Sequence, residues 1–170
     1  MTPTLPQEDS PLVRTSFTSD AAWDALCAAI AQPNSDGFRA YVSTVNDKAW
    51  EATTPRALAN AAKADNVNAL VAFIADAEAM EGTDMPVLVV ELDAERAETD
   101  EPRTFRCIVR ELWSVENNLN LANMGWDDFA DSLEDGVYRG FGDADGVQQG
   151  ESAPPMALGA ADPGGASTLE

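Results

Sequence analysis

A chain of 170 residues with 30 acidic and 10 basic side chains, net −20, has the length of one domain, and its 45% hydrophobic content is enough to bury a core. Neutralising phosphates takes clustered Lys and Arg, so this charge excludes direct nucleic-acid binding and docking on an anionic membrane. The sequence contains no histidine, which excludes Ser-His and Cys-His nucleophile pairs, histidine-ligated zinc and a histidine proton shuttle.

Residues 1–10 are polar, carry two prolines and read as a loose lead-in. Residues 12–17 form a strand candidate after Pro11. Thr18-Ser19-Asp20 then offers N-cap oxygens to a helix with Trp23, Leu26, Cys27 and Ile30 on one stripe. That helix stops before Pro33-Asn34-Ser35-Asp36-Gly37, and residues 38–45 read as a strand. Thr54-Pro55, a capping residue followed by proline at the first helical position, opens a second helix to about Lys63. Residues 69–75 are apolar throughout, so periodicity alone admits a buried strand or a helix; Asp76 and the acidic stretch beyond it close a short run, which reads as a strand.

The β-branched run at 86–92 is the clearest strand, and its continuity predicts burial on both faces at the centre of a sheet. Residues 104–110 alternate Phe105, Cys107 and Val109 with Arg106, Ile108 and Arg110. The acidic loop at 93–103 would let these two strands pair antiparallel. Helical segments follow around 115–124 and 126–133, then a short strand at 137–141. The early strand–helix–strand order favours parallel neighbours and the later strands antiparallel ones, so the expected fold is α+β, a mixed β-sheet with packed helices. A single globular domain is expected over 11–141. The Gly-, Ala-, Pro- and Ser-rich stretch 142–170 reads as a disordered tail ending in a vector-derived Leu169-Glu170.

Cys27 and Cys107 lie 80 positions apart, outside any Cys-x-x-Cys spacing, and read as free thiols of a reduced, cytoplasmic protein. No secretory leader is legible at the N-terminus, and no apolar run is long enough for a membrane span. Asp143-Ala-Asp145-Gly starts like a calcium loop, but Pro154 stands where the closing glutamate belongs. With no glycine-rich phosphate loop either, neither a cofactor nor a metal is expected.

The charge is concentrated. Residues 76–101 hold ten acidic side chains and one basic, net −9, and residues 127–151 hold eight and one, net −7, so the two stretches carry −16 of the −20. Such a surface either serves solubility or steers a basic partner. Arg103, Arg106 and Arg110 are the basic cluster. If Arg106 and Arg110 share a strand face they could hold a carboxylate or phosphate; otherwise they neutralise Glu91, Glu111 or the acidic loop.

Residues 111–129 stand out. Four asparagines fall within seven positions, between Trp113 and Trp126. Asparagine disfavours helix interiors because its amide competes for backbone partners, so four of them mark either a working surface or a set of structural caps. On a helix, Glu116, Asn120 and Asn123 share a face with Asn117 beside Asn120, while Val115, Leu119 and Ala122 face the core.

The blocks PLVRTSF, GFRAYV, PVLVVELD, ELWSVENNLNLANMGWDDFAD and DGVYRGF resemble those of an uncharacterised actinobacterial domain family, a domain of unknown function. The resemblance spans about 11–141 and is most specific from Trp113 to Asp131. It implies a small stand-alone bacterial domain, and no catalytic residue can be carried over from it.

The residues therefore point first to a non-enzymatic, acidic protein-interaction module with a basic protein partner, in a toxin-neutralising (immunity-like) or regulatory role. Its working surface would comprise Trp113, Glu116, Asn117, Asn120, Asn123, Trp126, Asp127 and Asp128, with Arg110 nearby. The alternative is a protein that binds a small polar ligand, or a histidine-free enzyme, using the same Asn/Glu/Asp cluster. In the enzyme case Glu116 would work with Asp127 or Asp128 as a carboxylate pair. Mimicry of a nucleic acid is a third reading.

Overall fold

The computed structural model describes residues 3–93 and 101–141. In chain order these form β1 (Ser10–Arg14), α1 (Asp20–Ala31), β2 (Val42–Val45), α2 (Pro55–Ala64), β3 (Val71–Ala75), α3 (Ala77–Glu81), β4 (Pro86–Glu91), β5 (Thr104–Ile108), α4 (Leu112–Asn120), α5 (Trp126–Ala130) and β6 (Val137–Tyr138). Short 3-10 turns at Lys48–Trp50 and Val109–Glu111 precede α2 and α4.

All six strands join one sheet in the order β2-β1-β3-β4-β5-β6. β1 runs parallel to both β2 and β3, β4 is antiparallel to β3 and β5, and β6 is parallel to β5. The fold is the mixed α+β arrangement expected. Two crossovers produce the first half: β1–α1–β2 and β2–α2–β3 place a parallel neighbour on each side of β1.

Both crossover helices start at the caps legible in the sequence. Ser19 Oγ accepts from Ala22 N–H at 3.1 Å, and Thr54 Oγ1 accepts from Ala57 N–H at 3.2 Å with Pro55 at the first helical position. Each cap satisfies a helix N–H that has no partner within the helix, worth roughly 1 kcal/mol.

The helices pack on both faces. On one, α1, α3, α4 and α5 bury Trp23, Leu26, Val115 and Phe129 against Leu12, Phe73, Val89 and Phe105. On the other, α2 and Trp50 bury Leu58 and Ala62 against Val13, Ile74 and Val90. Strand side chains alternate between the faces, so β1 and β3, covered on both, are buried at every position. β4 lies inside the sheet and buries Val87 and Val89 on one face and Val90 on the other, while Pro86, Leu88 and Glu91 are half-buried. The ten-residue α2 is too short to roof all of the second face.

Several expected elements are shorter or shifted, β1 among them, at Ser10–Arg14 rather than 12–17. Residues 38–41 are not strand. Asn34 Oδ1 accepts from Asp36 and Phe38 N–H, Gly37 takes φ +87°, and Tyr41 N–H turns to the Glu116 carboxylate instead of β1. β5 ends at Ile108, where the chain turns into a 3-10 segment and Val109 N–H bonds Asp84 O. Arg110 therefore does not share a strand face with Arg106. The helix expected at 115–124 is displaced to Leu112–Asn120, with Ala122 exposed at φ +54° rather than facing the core. α5 also ends early, at Ala130, and the last strand is only two residues long. The 142–170 tail and most of the 93–103 loop lie outside the described residues.

Candidate functional site

α4 is pinned to the core by Leu112, Val115 and Leu119, and this places Glu116 and Asn120 over the N-terminal ends of the three parallel strands. Its asparagines reach back one turn. Asn117 Nδ2 donates to Trp113 O at 2.8 Å, Asn118 Nδ2 to Ser114 O at 2.9 Å, and Asn120 Nδ2 to Glu116 Oε1 at 2.7 Å. These bonds one turn back give three of the four amides at 117–123 a partner, two of them backbone carbonyls of the helix itself.

Two of the amides also reach outward. Asn117 Nδ2 donates to Arg39 O at 3.0 Å, before β2. Asn120 Oδ1 accepts from Leu70 N–H at 2.8 Å, just before β3, while its Nδ2 donates to Ser10 Oγ at 2.9 Å in β1. Glu116 completes the knot. Its Oε1 accepts from Ser10 Oγ at 3.3 Å and its Oε2 from Tyr41 N–H at 3.0 Å. One carboxylate and one amide thus tie together the starts of β1, β2 and β3.

Glu116 is only 5% exposed, and the donors gathered round it are a hydroxyl, a backbone N–H and an amide, with no cation among them. Burial pushes its carboxyl above the ordinary glutamate range, the hydrogen bonds from Tyr41, Asn120 and Ser10 oppose that rise, and the charge of Asp9 adds to it. The carboxylate lies under an open groove of about 370 Å³, with Asn117, Asn120 and Leu121 on one wall and Glu8, Asp9 and Tyr41 on the other.

Trp113 stacks on Phe38 with ring centroids 5.3 Å apart. Of the five large apolar side chains exposed among the described residues, four border this region: Phe38, Tyr41, Leu70 and Leu121. The fifth, Phe141, packs on Phe129 and Tyr138.

Asn123, Trp126 and Asp128 line a second groove of about 350 Å³ beside Leu70 and Arg103. Trp126 is buried against Phe105 at 4.7 Å, and the Arg103 guanidinium lies 5.4 Å from its ring centroid. Arg103 bonds Glu91 Oε2 at 2.7 Å and Asp127 Oδ1 at 2.9 Å, while Asp128 Oδ2 accepts from Gly125 N–H at the start of α5. Glu116 and the Asp127–Asp128 pair therefore belong to different grooves, with no hydrogen bond joining them. Arg110 lines neither groove; it is exposed, with Nε 3.9 Å from Glu111 Oε1. Arg106 pairs with Asp76 and Glu78, not with the partners that local spacing suggested. Among the described residues no three acidic or thiol side chains converge as a cation site, and no helix is long and apolar enough to cross a membrane.

Ser10, Phe38, Tyr41, Leu70 and Leu121 escaped the reading of the sequence. Two of them enter the network through backbone N–H groups, which carry no residue signature. Leu121 had one usable signal, an apolar residue among asparagines at the end of a helix.

A family model matches residues 9–141, from the β1 approach to the end of the β6 strand region. The chain belongs to DUF6924, a domain of unknown function. The DUF6924 match thus contains every residue of the Glu116 network and, apart from Glu8, every residue lining the two grooves. No curated protein matches the chain.

Proposed function

We propose that this DUF6924 domain is an acidic, non-enzymatic interaction module that docks a basic protein partner on the groove beneath α4. The observation that carries the reading is the gathering of exposed apolar side chains about α4: Tyr41 and Leu121 line a groove floored by Glu116 and rimmed by Glu8 and Asp9, Phe38 stacks on Trp113, and the Leu70 N–H bonds Asn120. Grouped exposed apolar side chains with a polar rim are the composition of a protein interface, and scattered ones are not. The net charge of −20 selects a basic partner and speeds its approach. Toxin neutralisation or regulation in the cytoplasm fits such a module. Two unpaired thiols, Cys27 in α1 and Cys107 in β5, suit a reducing compartment.

The test uses the full chain as bait in lysate of its source cells, beside Leu121→Asp. Leu121 is 68% exposed, so the substitution leaves the core alone. One basic protein should be held in stoichiometric amount by the wild type, released by raised salt, and lost with Leu121→Asp. An empty capture, or equal capture by both baits, overturns the proposal.

A further inference from the structure

β2 is an open edge. It pairs with β1 on one side and has no strand on the other among the described residues, so every second N–H and C=O along it points outward. The opposite edge offers far less, because β6 has only two residues. Native edges are commonly blunted by lysine, proline or inward charge, whereas β2 reads Val42-Ser43-Thr44-Val45 and carries none of these.

A groove of about 250 Å³ runs beside this edge, between Val42 and Thr44 of β2 and Cys27, Ile30 and Ala31 of α1. Val42 packs toward the α1 face and Val45 toward the α2 face, as strand alternation requires. Asp9 and Tyr41 line both this groove and the one beneath α4, so the two form one continuous surface. An edge strand flanked by a helix-walled groove, here lined by Ile30, Ala31 and Val42 together with Asp9 and Arg39, is the arrangement that takes up an extended peptide. The strand supplies main-chain hydrogen bonds, and the groove receives alternate side chains.

We infer that β2 accepts an extended, basic segment of the partner as a seventh strand, with apolar side chains at every second position over the α1–β2 groove and Lys or Arg between them. The inference rests on the interaction reading and names how the partner is held. Charge decides the occupant. A second copy would bring another −20 against this −20, whereas a basic strand is attracted to the chain; at the edge itself Asp9 accepts from Ser43 Oγ at 3.1 Å, and Arg39 also lines the groove.

The experiment titrates acetyl-Lys-Val-Lys-Val-Lys-Val-Lys-amide into the 15N-labelled full chain. Shift changes should centre on residues 42–45 and on Ile30 and Ala31, with slowed amide exchange along β2. Affinity should fall about tenfold or more when alternate peptide amides are N-methylated, which keeps the charge and removes the ladder bonds. It should fall likewise for Thr44→Arg at this exposed position. Absence of binding, shifts spread over the acidic surface, or equal binding by the N-methylated peptide overturns the inference. Thr44→Arg in the lysate capture separates the two proposals. A partner held equally by wild type and Thr44→Arg sinks strand addition and leaves the interaction module standing. An empty wild-type capture sinks the module, and the peptide titration still judges the edge.

Discussion

The two ends of the parallel strands β2, β1 and β3 are held by opposite electrostatics. At the C-terminal end, charge meets charge. Buried Arg14 bonds Ser16 O and Asn46 Oδ1, its Nη2 approaches Asp20 Oδ1 to 2.8 Å as an ion pair without hydrogen-bond alignment, and Phe17 covers it at 4.4 Å. Asp76, just past β3, takes Arg106 Nη1 at 3.1 Å and Nη2 at 2.7 Å and caps α3 through Ala79 N–H. At the N-terminal end, Glu116 and Asn120 together hold three strands without a cation, under a groove edged with exposed apolar side chains. The first end is closed by its own counter-ions. The second keeps a carboxylate with no cation beside it and uncovered apolar surface, and that is the end at which the proposed partner would dock.

The largest effect should come from breaking the closed end. Asp76→Ala removes the bidentate partner of Arg106, a guanidinium with a side chain only 17% exposed, together with the α3 cap. Glu78 alone then remains as a counter-ion, largely in solvent. A loss of about 3 kcal/mol is expected from urea unfolding, because a mostly buried charge loses its mate and a helix loses its cap. A loss under about 1 kcal/mol would show that the ion pair adds little beyond a surface bridge.

Acid should sharpen the contrast, since the two carboxyls shift in opposite directions. Burial alone would raise the Asp76 carboxyl, but its hydrogen bonds to Arg106 and Ala79 and the Arg106 charge outweigh that and hold it below the ordinary aspartate range. Its contribution is complete above the unfolded value, about 3.9, and is lost as pH falls through the lower folded value. Glu116 is raised, so the folded state binds its proton more tightly than the unfolded chain does. Its ionised form costs stability above the folded value, and that cost is relieved as pH falls toward the unfolded value, about 4.3. Glu116→Gln removes the titration but turns an amide NH2 against donors, so it should cost about 1–2 kcal/mol near neutrality. The gap between variant and wild type should widen as pH falls through the raised value. Parallel stability curves for the two proteins would contradict the description of Glu116 as a carboxylate with no cation beside it.

Local chemistry made much of this fold legible. Ser19, Thr54 and Pro55 announce two helix starts on their own, and the β-branched run at 86–91 announces a strand whatever surrounds it, whereas the apolar run at 69–75 reads as a strand only because Asp76 closes it. The misread segments answer to distant partners. Residues 38–41 alternate like a strand, yet Tyr41 N–H belongs to a carboxylate 75 positions away, and Arg106 finds its mate 30 positions upstream. The asparagines marked α4 because they violate helix preference. Their outward partners follow from the β2-β1-β3 order, which brings Ser10, Tyr41 and Leu70 to one end of the sheet. No local window contains that order.

The smallest expected change in stability is also the most direct probe of the open end. Phe38 is 55% exposed, and its best-defined contact is the stack on Trp113. Phe38→Ala should therefore cost about 1 kcal/mol or less on unfolding, the worth of one exposed aromatic pair. A binding surface weights the same side chain differently. An aromatic beside a groove contributes to affinity through area that is idle in the free protein, and removing such an anchor typically costs about 2 kcal/mol, roughly thirtyfold in affinity. Phe38→Ala should keep nearly all of the wild-type stability while losing most of the partner captured from lysate. Asp76→Ala should show the converse, with stability lost and capture retained wherever the domain is still folded. If both variants lose capture only in proportion to their loss of stability, the two ends do not differ in role, and the exposed apolar residues around α4 carry no partner.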